Sequence, residues 1–226
     1  MSRRLLRLLM GLLALTCSVA VAAEPALIAA IRDGQTQQAL AMLDEGVSPE
    51  ATTPDGEFES KTALMWAAET GEVAVLDALL AAGAEVDRPN NKSGTALMYA
   101  AVAGELTALE HLLGAGADPN VQVRHGWSPL LLATVKGHVD ILEALVGAGA
   151  DIQVRDVYDW TLLMRAVDVG ERAMVERLLE LGLSPSAGDE AGNNAHTVAA
   201  DQADPWFAER LEDADPEGAR AALSSP

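Results

Sequence analysis

Apolar residues in this chain come in short bursts at helical spacing, and the bursts recur at a fixed interval. Between His138 and Gly149 the apolar positions Ile141, Leu142, Leu145 and Val146 lie three and four apart, one stripe along a helix. The same stripe occurs earlier as Val75, Leu76, Leu79 and Leu80. Ahead of each stripe stands a second apolar segment. TALMWAAETG, TALMYAAVAG, SPLLLATVKG and TLLMRAVDVG begin at Thr62, Thr95, Ser128 and Thr161, a step of 33 residues. One further step reaches Asn194 in GNNAHTVAA. Gly83, Gly116, Gly149 and Gly182 keep the same step. Two independent markers in register across four copies define an internal repeat.

Each marker has a physical role. Thr62, Thr95, Ser128, Thr161 and Asn194 are residue types whose side-chain oxygen caps a helix N-terminus. Pro129 suits the first helical position, where no intrahelical N–H is needed. Ala67, Ala100, Ala133 and Ala166 share one position and let neighbouring helices approach closely. Gly71, Gly104, Gly137 and Gly170 supply left-handed C-terminal caps, and the striped second helix starts at once after them. The expected unit is therefore two short helices followed by about ten residues without helical pattern. One such unit cannot bury its apolar face alone, and stacking builds a continuous core.

The order of capping residue, Pro/Ala-Leu, Ala, Gly, Leu-Leu and Gly-Ala-Asp at a period of 33 resembles the ankyrin repeat. The resemblance implies an all-α ankyrin-repeat solenoid of about six stacked helix-turn-helix repeats with degenerate ends. The array is expected over 24–205, with copies near 24–56, 57–89, 90–122, 123–155, 156–188 and 189–205. The first copy, PALIAAIRDG, is offset by 37, which places about four extra residues in TTPDGEFESK. The last copy has His196 where leucine is usual. Met65, Met98, Leu131 and Met164 replace the family's usual histidine, a change expected to remove hydrogen bonds between turn and helix.

In that family, partner contacts come mostly from the loop tips and the outer, concave face of the first helices. Carried over by position, copy four offers Arg124, His125, Trp127, Val135 and Lys136, and copy five offers Val157, Tyr158, Trp160, Asp168 and Val169. Copy three offers Asn91, Lys92, Val102 and Ala103, and copy two Phe58, Glu59, Lys61, Glu69 and Thr70. The partner-binding set is expected at Arg124, His125, Trp127, Val135, Lys136, Val157, Tyr158 and Trp160. Tyr, Trp and Arg are the types that most often anchor interfaces. Trp127 and Trp160, one repeat apart, form an apolar ridge if they stack; the alternative is that they cover the loop bases. Arg124, Lys136 and Arg155 either recognise a partner or offset local acid.

Charge narrows the partner. The chain has 34 acidic and 15 basic residues and a net charge of −19, a poor match to a phosphate backbone, so no nucleic acid is expected. The same charge favours a protein partner with a basic surface. Asp77, Glu110, Glu143 and Glu176 share one second-helix position and are expected as a solvated column, or as a face for that basic partner. No calcium-loop or HExxH spacing occurs, His111, His125, His138 and His196 show no ligand pattern, and Ser128 is wanted as a helix cap. No cofactor, metal or catalytic residue is expected.

The first residues carry Arg3, Arg4 and Arg7, then an apolar run from Leu8 to Val21, then Ala22-Ala23 before Glu24. These are the parts of a cleavable signal peptide over 1–23, which implies a periplasmic chain with no membrane contact after cleavage. An uncleaved membrane anchor is the alternative. Cleavage removes Cys17, the single cysteine, and three arginines, taking the net charge from −19 to −22. Residues 206–226 form a C-terminal cap or tail, with Trp206, Phe207 and Leu211 spaced for a short amphipathic helix between Pro205 and Pro216. The function expected from these readings is a non-catalytic binding scaffold or adaptor. The alternatives are an inhibitor or immunity protein that occludes a toxin or hydrolase, and an enzyme that uses the repeats as scaffold.

Overall fold

A computed structural model of the chain describes residues 24–53 and 60–224; the signal-peptide reading and the contact positions Phe58 and Glu59 lie outside the described residues. Helix α1 takes in residues 24–32. It is followed by α2 (Thr36–Asp44), α3 (Ala63–Thr70), α4 (Val73–Ala81), α5 (Ala96–Ala103) and α6 (Leu106–Gly114). A 3-10 turn at Arg124–Gly126 leads to α7 (Pro129–Lys136), α8 (Val139–Gly147), α9 (Leu162–Val169) and α10 (Arg172–Glu180). The chain ends in α11 (Ala195–Ala200), α12 (Pro205–Ala214) and α13 (Pro216–Ser224). Among the described residues there is no strand, only isolated bridges at Thr52–Thr62 and Arg155–Thr161. The all-α helix-turn-helix expectation holds.

The predicted caps explain where the first helices start. Thr62, Ser128 and Thr161 accept from Met65, Leu131 and Met164 N–H, each at 3.2 Å, and Asn194 accepts from Thr197 N–H at 3.0 Å. Such a cap contributes about 1 kcal/mol. Thr95 differs: its hydroxyl makes no cap bond, because the Met98 N–H donates instead to the Thr95 carbonyl at 3.1 Å. Gly71, Gly104, Gly137 and Gly170 end these helices in the left-handed region, at φ 69°, 78°, 72° and 84°.

The chain divides into two compact units, Met1–Ala117 and Asp118–Pro226. In the first, α3 packs on α4 and α5, and α6 on α5 and α4. In the second, α7 packs on α8 and α9, α9 on α10 and α11, and α12 on α11 and α13. Ala67 and Ala100, and likewise Ala133 and Ala166, are fully buried where the first helices meet. Met65 and Met164 are fully buried too, and Met98 nearly so, as core side chains. In the second helices Val75, Leu76 and Leu79 are buried, as are Ile141, Leu142 and Leu145. Leu80 and Val146, expected in the same stripe, stand at its edge and are half-buried.

Helix α12 begins 33 residues after α10, the step of the repeat. It buries Phe207 and Leu211, and Asp204 caps it by accepting from Trp206 N–H at 3.1 Å. The helix lies between Pro205 and Pro216 as expected, and Pro216 opens a further helix, α13. Asp215 joins the two helices, accepting from Gly218 N–H at 3.0 Å and from the Ser186 hydroxyl. Those bonds, Ser186 first, hold its carboxyl below the usual range. The buried imidazole of His196 fills the usual leucine position with Nε2 3.6 Å from Asp215.

Candidate functional site

The loop tips between second and first helices are built on one repeated device. Asn90, Asp156 and Asp189 stand 33 or 66 residues apart, each five residues ahead of a helix cap. The Asn90 side chain accepts from Lys92 and Gly94 N–H at 2.9 and 2.8 Å. Asp156 does the same with Tyr158 and Trp160 N–H at 2.8 and 3.1 Å, and Asp189 with Ala191 and Asn193 N–H at 2.9 and 2.8 Å. Each turn then passes through a left-handed residue: Ser93 (φ 69°), Asp159 (φ 60°) and Gly192 (φ 87°). These are local side-chain-to-backbone turns, which fix a tip without help from a sheet.

The second polar atom of the same residue ties the tip down. Asn90 Nδ2 donates to Tyr99 Oη at 2.8 Å. Asp156 accepts from Arg165 Nε at 2.7 Å and also from its Nη2. In copies three and five a turn-to-helix hydrogen bond is therefore present despite the missing histidine. The tie comes from different residues, on side chains nine positions apart. Asp189 has Val198 at the corresponding place and takes the Asn193 amide instead, at 2.8 Å. That amide is the leading reason its carboxyl sits below the usual range.

Copy four lacks the device, with Val123 at the Asx position, and builds its tip from the 3-10 turn Arg124–Gly126. Gly126 has φ 74°, and a Cβ there would lie 2.8 Å from the Asp156 Cα and 2.9 Å from the Val157 nitrogen. Only glycine permits this approach. The Arg124–Gly126 tip thus rests directly on the Asp156–Val157 tip.

This frame sets the expected contact residues in place. Arg124 and Lys136 are exposed, at the tip and at the C-terminal end of α7. His125 has its backbone in the same turn, and its side chain lies outside the description. Trp127, Val135 and Trp160 are half-buried. Val157 is 53% exposed, Tyr158 70% and Val169 42%; these are the exposed large apolar side chains among the described residues. Among the described residues the aromatic pair in contact is Trp206–Phe207, not Trp127–Trp160. The face of Trp160 is taken by the Arg165 guanidinium, 4.5 Å from the ring centroid, with Tyr158 5.8 Å away on the same cation. Arg165 also reaches Asp168, an exposed side chain in the last turn of α9, at 3.4 Å.

In the first unit part of the corresponding ground is occupied, while Thr70, Asn91, Lys92 and Ala103 are exposed and Val102 is half-buried. Lys61 is buried between the rings of Trp66 and Tyr99, at 4.4 and 4.2 Å, and pairs with Glu69 at 2.6 Å. Lys61 and Glu69, offered above as partner contacts, are spent on each other. Arg155 is likewise structural: it donates to the carbonyls of Asp159 at 2.7 Å and Gly188 at 2.9 Å. Sequence reasoning missed Asn90, Asp156, Asp189 and Arg165, although the Asx residues keep the repeat's own register. What it lacked was the geometry that brings residues nine apart together.

Within each unit, acidic residues of the second helices meet basic side chains of the following second helix. Asp77 meets His111 at 2.7 Å, Glu143 meets Arg177 at 3.0 Å and Glu176 meets Arg210 at 2.9 Å. Each base lies 34 residues after its acid, on the next second helix. These pairs are partly exposed, so each contributes about 0–1 kcal/mol. Glu110 has Ala144 at that offset and stays exposed.

The family model for Ankyrin repeats (3 copies) matches residues 26–123 and, overlapping them, 97–189. The chain belongs to the ankyrin-repeat family. A search of curated proteins finds no match. For an ankyrin-repeat chain the functional ground is a protein-interaction surface. Among the described residues no group of three or more His, Cys, Asp or Glu side chains could hold a metal ion, and no helix is long and apolar enough to cross a membrane. Ser186, Asp215 and His196 converge, but with the carboxylate in the middle: the hydroxyl donates to Asp215 and not to the imidazole.

Proposed function

We propose that this ankyrin-repeat protein is a non-catalytic scaffold that holds one protein partner on the tips and first helices of copies four and five. The observation that carries the reading is the placement of Val157, Tyr158 and Val169, three exposed apolar side chains within one repeat. The tip beneath them is fixed by Asp156, Arg165 and Gly126, so little ordering entropy is lost on binding. The partner sits with Tyr158 and Val157 as anchors, Trp160 and Trp127 as the half-buried floor, and Arg124, His125, Val135 and Lys136 alongside. The net charge of −19 speeds encounter with a partner of net positive charge. The second-helix column is not its docking ground, since Asp77, Glu143 and Glu176 already have partners.

The basic, apolar and small-residue order of positions 1–23 supports export to the periplasm with cleavage before Glu24. The scaffold there is an adaptor, or, where the partner is a toxin or hydrolase, an inhibitor that occludes it. Co-purification from a periplasmic extract tests the reading, comparing the wild type with Val157→Asp/Tyr158→Ala and with Glu143→Ala/Glu176→Ala. One retained protein lost only from the first variant supports the tip surface. Equal loss from both variants, or loss only from the second, sinks it. Inhibition of the retained protein's activity by the wild type separates the occluding role from the adaptor role.

A further inference from the structure

Among the described residues most cations are spoken for. Arg32, Lys61, Arg88, Arg155, Arg165, Arg172, Arg177 and Arg210 each have a carboxylate at ion-pair distance. Arg124 and Lys136 do not: among the described residues both are exposed with no acidic partner. In a chain with 34 acidic and 15 basic residues, a cation without a carboxylate is the exception, and both of these stand in copy four.

Register places them beside the exposed apolar group. Arg124 and Val157 occupy the same repeat position, 33 apart, and so do Lys136 and Val169. Helix α7 packs on α9, and the Gly126 tip lies against Asp156 and Val157. The face is therefore two adjacent columns. Arg124 and Lys136 mark the two ends of one, and Val157 with Tyr158 and Val169 mark the two ends of the other. The eight residues of α7 separate the two cations by on the order of 12 Å.

We infer that this face takes a segment of a partner protein that presents two carboxylates along one side, roughly 12 Å or more apart, and apolar or aromatic side chains along the other. The inference rests on the tip-surface reading above and specifies its chemistry. Charge complementarity carries it: the chain is strongly acidic, and here two exposed cations without a carboxylate partner flank exposed apolar side chains, so a segment with carboxylates is favoured at this face over the acidic surface around it. Net attraction of a basic partner at long range is compatible, because field and contact act at different distances.

The test pans a phage-displayed library of random 12-residue peptides on the immobilised full chain. Binding of the enriched sequences, made as labelled peptides, is then followed by fluorescence anisotropy. The expected peptides carry Asp or Glu together with Leu, Phe, Tyr or Trp. Their affinity falls roughly tenfold or more on Arg124→Ala/Lys136→Ala, whose circular dichroism is unchanged, and weakens with added salt. Peptides that depend on Tyr158 but carry Lys or Arg, or no charge, overturn the inference and leave the tip-surface reading standing. No enriched peptide, or peptides indifferent to Tyr158→Ala, overturns both. A dimer in sedimentation equilibrium that Arg124→Ala/Lys136→Ala dissolves assigns the face to a second copy and overturns the inference as well.

Discussion

The tip of copy five can be rebuilt as the tip of copy three, and the energetics of that exchange follow from the two geometries. Copy three uses Asn90 with Tyr99, an amide donating to a phenol oxygen at 2.8 Å. Copy five uses Asp156 with Arg165, a carboxylate accepting from a guanidinium at 2.7 Å. Asp156→Asn keeps the acceptor for Tyr158 and Trp160 N–H but turns an amide N–H2 toward Arg165. The Asp156 side chain is 2% exposed and that of Arg165 16%, so water repairs little of the mismatch. Breaking a buried pair costs roughly 3–5 kcal/mol. Arg165 keeps Asp168 and the Trp160 face, which puts the expected loss near the low end, about 3 kcal/mol. Arg165→Tyr alone breaks the same pair from the other side and leaves a buried carboxylate without its cation, which costs about 3 kcal/mol. The double variant installs the copy-three pair and lacks only the cation–ring contacts, about 1 kcal/mol in all. Urea unfolding followed by circular dichroism and tryptophan fluorescence reads the three variants. A coupling of at least ~2 kcal/mol between the two substitutions is expected. Additivity within about 0.5 kcal/mol would refute the equivalence of the two tips.

Four further outcomes follow. Gly126→Ala forces a left-handed alanine, about 1–2 kcal/mol, against the Asp156 backbone, about 1–3 more; Gly149→Ala, at φ 90° with nothing within 4 Å, meets only the first cost. Equal midpoints for these two in urea would remove the close approach of the tips. Tyr158→Ala changes the unfolding midpoint by less than about 0.5 kcal/mol, since the side chain is 70% exposed, while partner binding drops; a stability loss above that would make Tyr158 a packing residue. Asp189, Asp204 and Asp215 are held below their ordinary values by Asn193, Arg172 and Ser186 respectively. Their stabilisation is complete above about pH 4 and is lost as pH falls through the lowered folded values. A melting series from pH 6 to pH 2 should show that acid limb, shallower in Asp204→Asn; an unchanged limb contradicts the assignment. Arg177→Ala removes two exposed pairs, with Glu143 and Glu180, and should cost no more than about 1 kcal/mol, less in high salt.

The sequence alone determined the helices, their order and their ends. A cap, a small residue and a left-handed glycine act within a few positions of themselves, so their period is visible in the text of the chain, and stacking is the way such units bury their apolar stripes. Met65 and Met164 could be placed in the core by the same register, and Arg124, Tyr158 and Lys136 on the variable face. Pairings across the repeat were left to the tertiary structure. Whether Trp160 meets Trp127 or Arg165, whether Glu143 faces water or Arg177, and whether Lys61 is offered or enclosed depend on side chains from different turns competing for one place. Thr95 shows the limit within a single turn, where a backbone carbonyl displaced the expected hydroxyl. Periodicity fixes which positions are neighbours; only three-dimensional packing decides which neighbour satisfies each charge, and so which charges are left for a partner.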